Sequence, residues 1–62
     1  MAEWVKCKDR NDPPAIIFVN LSSALTVYRR GDGTRIVFIG GEDSFVDVRE
    51  MPEEVLKLPR IK

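Results

Sequence analysis

ALTVYRRGDGTRIVFI, residues 24–39, is the stretch that decides how this chain folds. Leu25 and Val27 alternate with Thr26 and Tyr28, the period of two that sends successive side chains to opposite faces of a strand. Beyond Gly31-Asp32-Gly33 a second run begins, Thr34 to Ile39, rich in the β-branched and aromatic residues that fit a pleated surface. Two such runs joined by glycine and aspartate form a hairpin. Tight connections between antiparallel strands need positive φ, which glycine adopts without steric cost, and Gly31 and Gly33 are both expected to supply it.

On the C-terminal side, Gly40-Gly41-Glu42-Asp43 forms a second turn into Ser44 to Arg49, where Val46 and Val48 face one way and Asp47 and Arg49 the other. Pro52 then stands where a first helical residue is favoured, and Glu53 and Glu54 follow in the first turn, where carboxylates suit the helix dipole. Val55, Leu56 and Leu58 give this helix an apolar side, and Pro59 ends it. A helix this short is marginal alone, so it is expected to dock on the sheet and close one open end.

On the N-terminal side, Ala15-Ile16-Ile17-Phe18-Val19 is apolar without alternation and too short for a stable helix, which reads as a strand buried on both faces. Asn20 after it either caps a single turn through Leu21-Ser22-Ser23 or holds a bend. Asn11-Asp12-Pro13-Pro14 reverses the chain before it. Glu3 to Lys8 alternates, with Val5 and Cys7 on one side and Lys6 and Lys8 on the other. The expectation is one mainly β (α+β) domain over residues 1–62: a strongly bent five-stranded antiparallel sheet or small barrel with a short C-terminal helix.

A chain of 62 residues buries only about 60% of the surface its unfolded form exposes, and one such core supplies about 3–5 kcal/mol. Small domains find further support in disulfides, metals or association. Cys7 is the only cysteine and there is no histidine, so neither an intrachain disulfide nor a zinc site of the usual nitrogen and sulfur type can be assembled from one chain, and no cofactor is expected. Self-association is the remaining support. Met1-Ala2-Glu3-Trp4 carries an acid where a signal peptide carries basic residues, and the uncharged stretch from Pro13 to Tyr28 is too polar and too short to span a bilayer, so a cytoplasmic chain without membrane contact is expected.

Ten basic and ten acidic side chains cancel, which argues against the positive field that drives nonspecific nucleic-acid binding. Catalysis finds little material. Without histidine the usual general base is missing, Glu53 and Glu54 diverge on their helix, and Glu42 and Asp43 belong to a turn, so no enzyme is expected. Arg30-Gly31-Asp32 and the glycine pairs are accounted for by their turns, which have neither the spacing nor the lysine of a phosphate loop.

Two candidate sites remain. Tyr28, Arg29, Arg30 and Arg35 surround the hairpin and combine cations with an aromatic ring, a pattern that suits nucleic acid, with Asp32 partly neutralising it. Ile17, Val37 and Ile39 are expected on the faces opposite Ile16, Phe18, Ile36 and Phe38, giving apolar surface on both sides of a thin domain. Either the sheet curls and the helix covers the second face, or another copy or another protein covers it. Trp4 fits either arrangement.

From Val19-Asn20 through the hairpin to Val48-Arg49-Glu50-Met51-Pro52-Glu53-Glu54-Val55, the order of features resembles the small bacterial FlbD-like flagellar proteins. In those, as here, a strand ends in a Val-Asn step, a hairpin and glycine turn follow, and a valine-rich strand runs into a short Glu-Glu helix. The Asn-Asp-Pro-Pro turn, the hairpin tip and the tail Arg60-Ile61-Lys62 depart from that pattern. The resemblance implies a noncatalytic accessory or regulatory protein of bacterial type and carries over no catalytic residue.

Overall fold

The computed structural model describes residues 2–40 and 43–61. Its strands are β1 (Trp4–Lys8), β2 (Ile16–Asn20), β3 (Ala24–Arg30), β4 (Gly33–Phe38) and β5 (Phe45–Val48), followed by one helix, α1 (Pro52–Lys57). Asn20 does cap a turn: its Oδ1 accepts from the Ser22 backbone N–H at 3.1 Å, in front of a single 3-10 turn over Leu21–Ser23. Pro52 opens α1 with Glu53 and Glu54 in the first turn, as read. Gly41 and Glu42 of the second expected turn lie outside the described residues; around them Phe38 N–H donates to Ser44 O at 2.7 Å.

The strands form two antiparallel sheets, β1-β2 and β3-β4-β5, and they do not close into a barrel. The two sheets meet at one corner. An isolated bridge pairs Asp9 with Val48, Arg49 N–H donates to Lys8 O at 2.9 Å, and the Glu50 carboxylate accepts from Lys8 N–H at 3.1 Å. At the other end of β1, Ile61 N–H donates to Trp4 O at 2.8 Å. The spatial order is therefore β2-β1-β5-β4-β3, and the open seam lies between the two terminal strands, β2 and β3.

Between these sheets lies a small core of Val5, Cys7, Val19, Ile36, Val48 and Val55, with Ile17, Leu21, Ala24, Val27, Phe38, Val46 and Leu58 packed against it. Val55 is the residue through which α1 enters this core, whereas Leu56, read as part of the same apolar side, points to solvent. Three residues along a helix turn through about 300°, which leaves Val55 and Leu58 within about 60° of one another, whereas Leu56 stands about 100° from Val55 and about 200° from Leu58. The buried Thr34 hydroxyl donates to Glu50 O at 2.5 Å, which satisfies it and fixes the chain just before the helix.

The two hairpin glycines do different jobs. Gly31 takes φ +62° and Asp32 keeps a negative φ, the pattern of a turn with glycine at its first central position. Gly33, expected to share that role, is instead the first residue of β4, and it is there because a Cβ would collide with the Val48 carbonyl oxygen and lie 2.6 Å from Arg10 Nη1. Backbone atoms cannot yield as a flexible side chain can. Gly33→Ala is therefore expected to cost about 1–3 kcal/mol, a large part of the stability of so small a domain, read as a lowered urea midpoint. Gly31 has open space around it, so an L-alanine there strains the backbone, while a D-alanine, introduced by chemical synthesis, should hold or raise the midpoint.

Candidate interaction surface

Which side of β2 faces the core follows from its partner. Residues directly opposite in an antiparallel pair share a face, and Cys7 and Val5 of β1, both buried, stand opposite Ile17 and Val19. Ile17 therefore turns inward and packs against the core. Ile16 and Phe18 take the outer face with Lys8 and Lys6, and they are 55% and 58% exposed. This corrects the expectation of a strand buried on both faces, and it moves the apolar surface from Ile17 to its neighbours. A run without alternation carries no phase of its own, and only the partner strand supplies one.

The backbone of β2 is equally one-sided. Asp9 N–H donates to Ala15 O and Leu21 N–H to Glu3 O, so the hydrogen-bonded pairs of this ladder are the odd-numbered ones, Val5 with Val19 and Cys7 with Ile17. The N–H and C=O groups of Ile16, Phe18 and Asn20 then point away from β1. Among the described residues nothing pairs with the backbone of Ile16 or Phe18 on that edge. Beside it runs a mostly apolar groove of about 520 Å³, lined by Trp4, Phe18 and Val19 on one side and Phe38 and Val46 on the other.

Val37 and Ile39, the other two residues expected at an interface, belong elsewhere. Val37 sits half-buried on the outer face of the three-stranded sheet, between Thr26 and Phe45, and Ile39 lies beyond the end of β4, 74% exposed. Leu25 is exposed at an irregularity where β3 slips one residue against β4. Sequence reasoning missed Ile16 and Phe18 as surface residues; the alternation of Val5 and Cys7, with the register of the β1-β2 pair, is the signal that finds them.

The hairpin cations are largely engaged. Arg35 makes two parallel bonds to Asp47, Nε to Oδ1 at 2.8 Å and Nη2 to Oδ2 at 3.0 Å, and its guanidinium lies 4.0 Å from the Phe45 ring centroid. These bonds hold the Asp47 carboxyl below the usual carboxylate range. Arg29 Nε donates to Gly31 O at 3.2 Å. Arg10 reaches the tip from the end of β1 and pairs with Asp32 at 2.6 Å, and its hydrogen bond is the main reason the Asp32 carboxyl is also held low. Arg49 donates to Asp9 O and Asn11 O and ties the proline turn to β5. Arg30, with Arg10, lines a shallow hollow of about 250 Å³ together with Thr34 and Asp47.

The remaining chemical groups are dispersed. Burial, and then the nearby Glu50 charge, push the Cys7 thiol up to about 11. Ser22 Oγ donates to Asn20 Oδ1 at 2.7 Å in the capping turn. Among the described residues no cluster of histidine, cysteine, aspartate or glutamate is arranged to hold a metal ion, and no helix is long and apolar enough to cross a membrane. Comparison with protein families, with curated proteins and with solved structures finds no match for this chain.

Two measurements follow from these shifts. The folded Cys7 binds its proton more tightly than the unfolded thiol, so its contribution is intact below about pH 9 and is lost as pH rises toward about 11. Thiol labelling at neutral pH should accordingly be slow until the chain is unfolded, and Cys7→Ala should flatten the alkaline fall in stability. Asp47 shifts the other way, so its pairing stabilises above the ordinary carboxylate pKa and is lost as pH falls through the folded value. The stability gap between the parent chain and Asp47→Asn should then be open at neutral pH and close in acid, as read by urea titration.

Proposed function

We propose that this chain is a noncatalytic protein-interaction module of accessory or regulatory type, working in a bacterial cytoplasm, that engages an extended apolar segment along β2. The observation that carries this reading is the pairing-competent β2 edge with Phe18 and Ile16 exposed beside an apolar groove. An added strand would find backbone groups to bond and a recess for its alternate side chains, the two ingredients of recognition by strand addition. The noncatalytic part rests on dispersal: Cys7 is closed in the core with a raised pKa, and Glu53 and Glu54 are exposed on α1 away from it. The accessory role and bacterial setting rest on the resemblance to the flagellar proteins and on the unpaired cysteine.

Selection of short displayed peptides against the parent chain, with counter-selection against Phe18→Lys, tests the reading. Enrichment of uncharged, β-branched and aromatic sequences is expected; no enrichment, or enrichment of charged sequences indifferent to Phe18, would overturn it. The nucleic-acid alternative draws on Tyr28, Arg29, Arg30 and Arg35, and the engagement of Arg35 by Asp47 weighs against it. Oligonucleotide anisotropy should show no binding of the salt-sensitive kind that counterion release produces. Affinity that falls steeply with salt and with Arg29→Ala, Arg30→Ala and Arg35→Ala would restore that alternative.

A further inference from the structure

We infer that the occupant of the β2 edge is a second copy of this chain, paired antiparallel through β2 about a two-fold axis at Phe18. The inference rests on the interaction reading above and names its partner. Pairing centred on a hydrogen-bonded residue uses that residue's own N–H and C=O toward its symmetry mate, and Phe18 has them free on this edge, because its odd-numbered neighbours spend theirs on β1. In that register Phe18 exchanges both bonds with Phe18 of the second copy, and Ile16 stands opposite Asn20. The two ribbons become one four-stranded sheet.

The side chains match in the same register. Opposite residues share a face, so Ile17 meets Val19 of the second copy on the inner side, apolar against apolar, and the two Phe18 rings meet on the outer side, an aromatic cross-strand pair. Continuing outward, Pro14 and Pro13 fall opposite Ser22 and Ser23, and no like charges are opposed anywhere along the paired segment. Edge strands in monomeric proteins are commonly guarded by a lysine, a proline or an inward charge. None stands within Ile16–Asn20.

Need and constant availability favour a copy over a foreign partner. Six apolar side chains among the described residues are buried, while nine large ones are exposed. The chain exposes 4458 Å², against about 4,100 Å² expected of a compact monomer of its mass. A domain this small needs further support, its one cysteine can make no internal disulfide, and a second copy is the partner present whenever the chain is.

Sedimentation velocity from micromolar to near-millimolar protein tests this, together with two variants. The parent chain should move from the mass of one chain toward that of two, and Phe18→Lys should keep the single mass while Cys7 stays protected from labelling, which shows that the fold survives. Hydrogen-bonded neighbours in antiparallel strands stand about 5.5 Å apart at Cα, within reach of a disulfide. Phe18→Cys should therefore oxidise to a covalent dimer, and Leu25→Cys, exposed on β3, should not. One-chain mass at every concentration with no Phe18→Cys crosslink, or a dimer indifferent to Phe18→Lys, would overturn the inference. A monomer that still selects apolar peptides through Phe18 would overturn self-pairing alone; a monomer that selects none would sink the interaction reading with it.

Discussion

The corner where β1 meets β5 holds the molecule together. Lys8 O accepts from Arg49, Lys8 N–H is held by the Glu50 carboxylate, and Asp9 bridges to Val48. These contacts join a ribbon and a sheet, and Arg49 on Asp9 O and Asn11 O and the Arg10–Asp32 pair reinforce the junction. The same stretch of β5 pairs with β4, Val48 opposite Thr34, so residue 33 has no room for a side chain and Gly33 lies against the Val48 carbonyl. Glu50 serves three neighbours at once: its carboxylate anchors β1, its carbonyl satisfies the buried Thr34 hydroxyl, and its charge adds to the rise in the Cys7 pKa.

One joined corner leaves the opposite side open. With β1 paired to β2 along one edge and to β5 and Ile61 along the other, the remaining free edges are those of β2 and β3. The core is too small to draw them together, since α1 contributes Val55 and Leu58 to it and leaves Leu56 outside. The apolar groove runs beside the free β2 edge, and it is the feature on which the proposed strand addition rests. A charge-neutral chain does not repel its own kind over long range, which is consistent with the proposed pairing of copies.

The local elements were legible in the residues because each rests on a short-range rule. Gly31 in its turn, Asn20 as a cap, Pro52 with Glu53 and Glu54 opening α1, and the alternation of Val5 and Cys7 all appear where local stereochemistry puts them. The candidate site was legible only in kind. Surplus apolar surface could be counted from composition, but Ile16, Ile17, Phe18 and Val19 are equally apolar, so nothing within the run says which pair turns inward. The arginines show the same limit. Their proximity to the hairpin was plain, whereas the partners that engage them, Asp47 on the next strand and Arg10 reaching in from β1 to Asp32, come from pairings that span the chain.

By itself, then, the sequence determined a mainly β domain of five strands and one helix, the hairpin, the caps, and the impossibility of an internal disulfide. Those depend on dihedral preference, periodicity and inventory, which act over a few residues. Only the tertiary structure decided that the strands divide into two sheets that leave β2 and β3 as free edges, that Gly33 is needed for closeness rather than for φ, and that Phe18 instead of Ile17 faces outward. Those depend on register and on backbone approach between distant segments, and a side chain's face is fixed by the strand it pairs with.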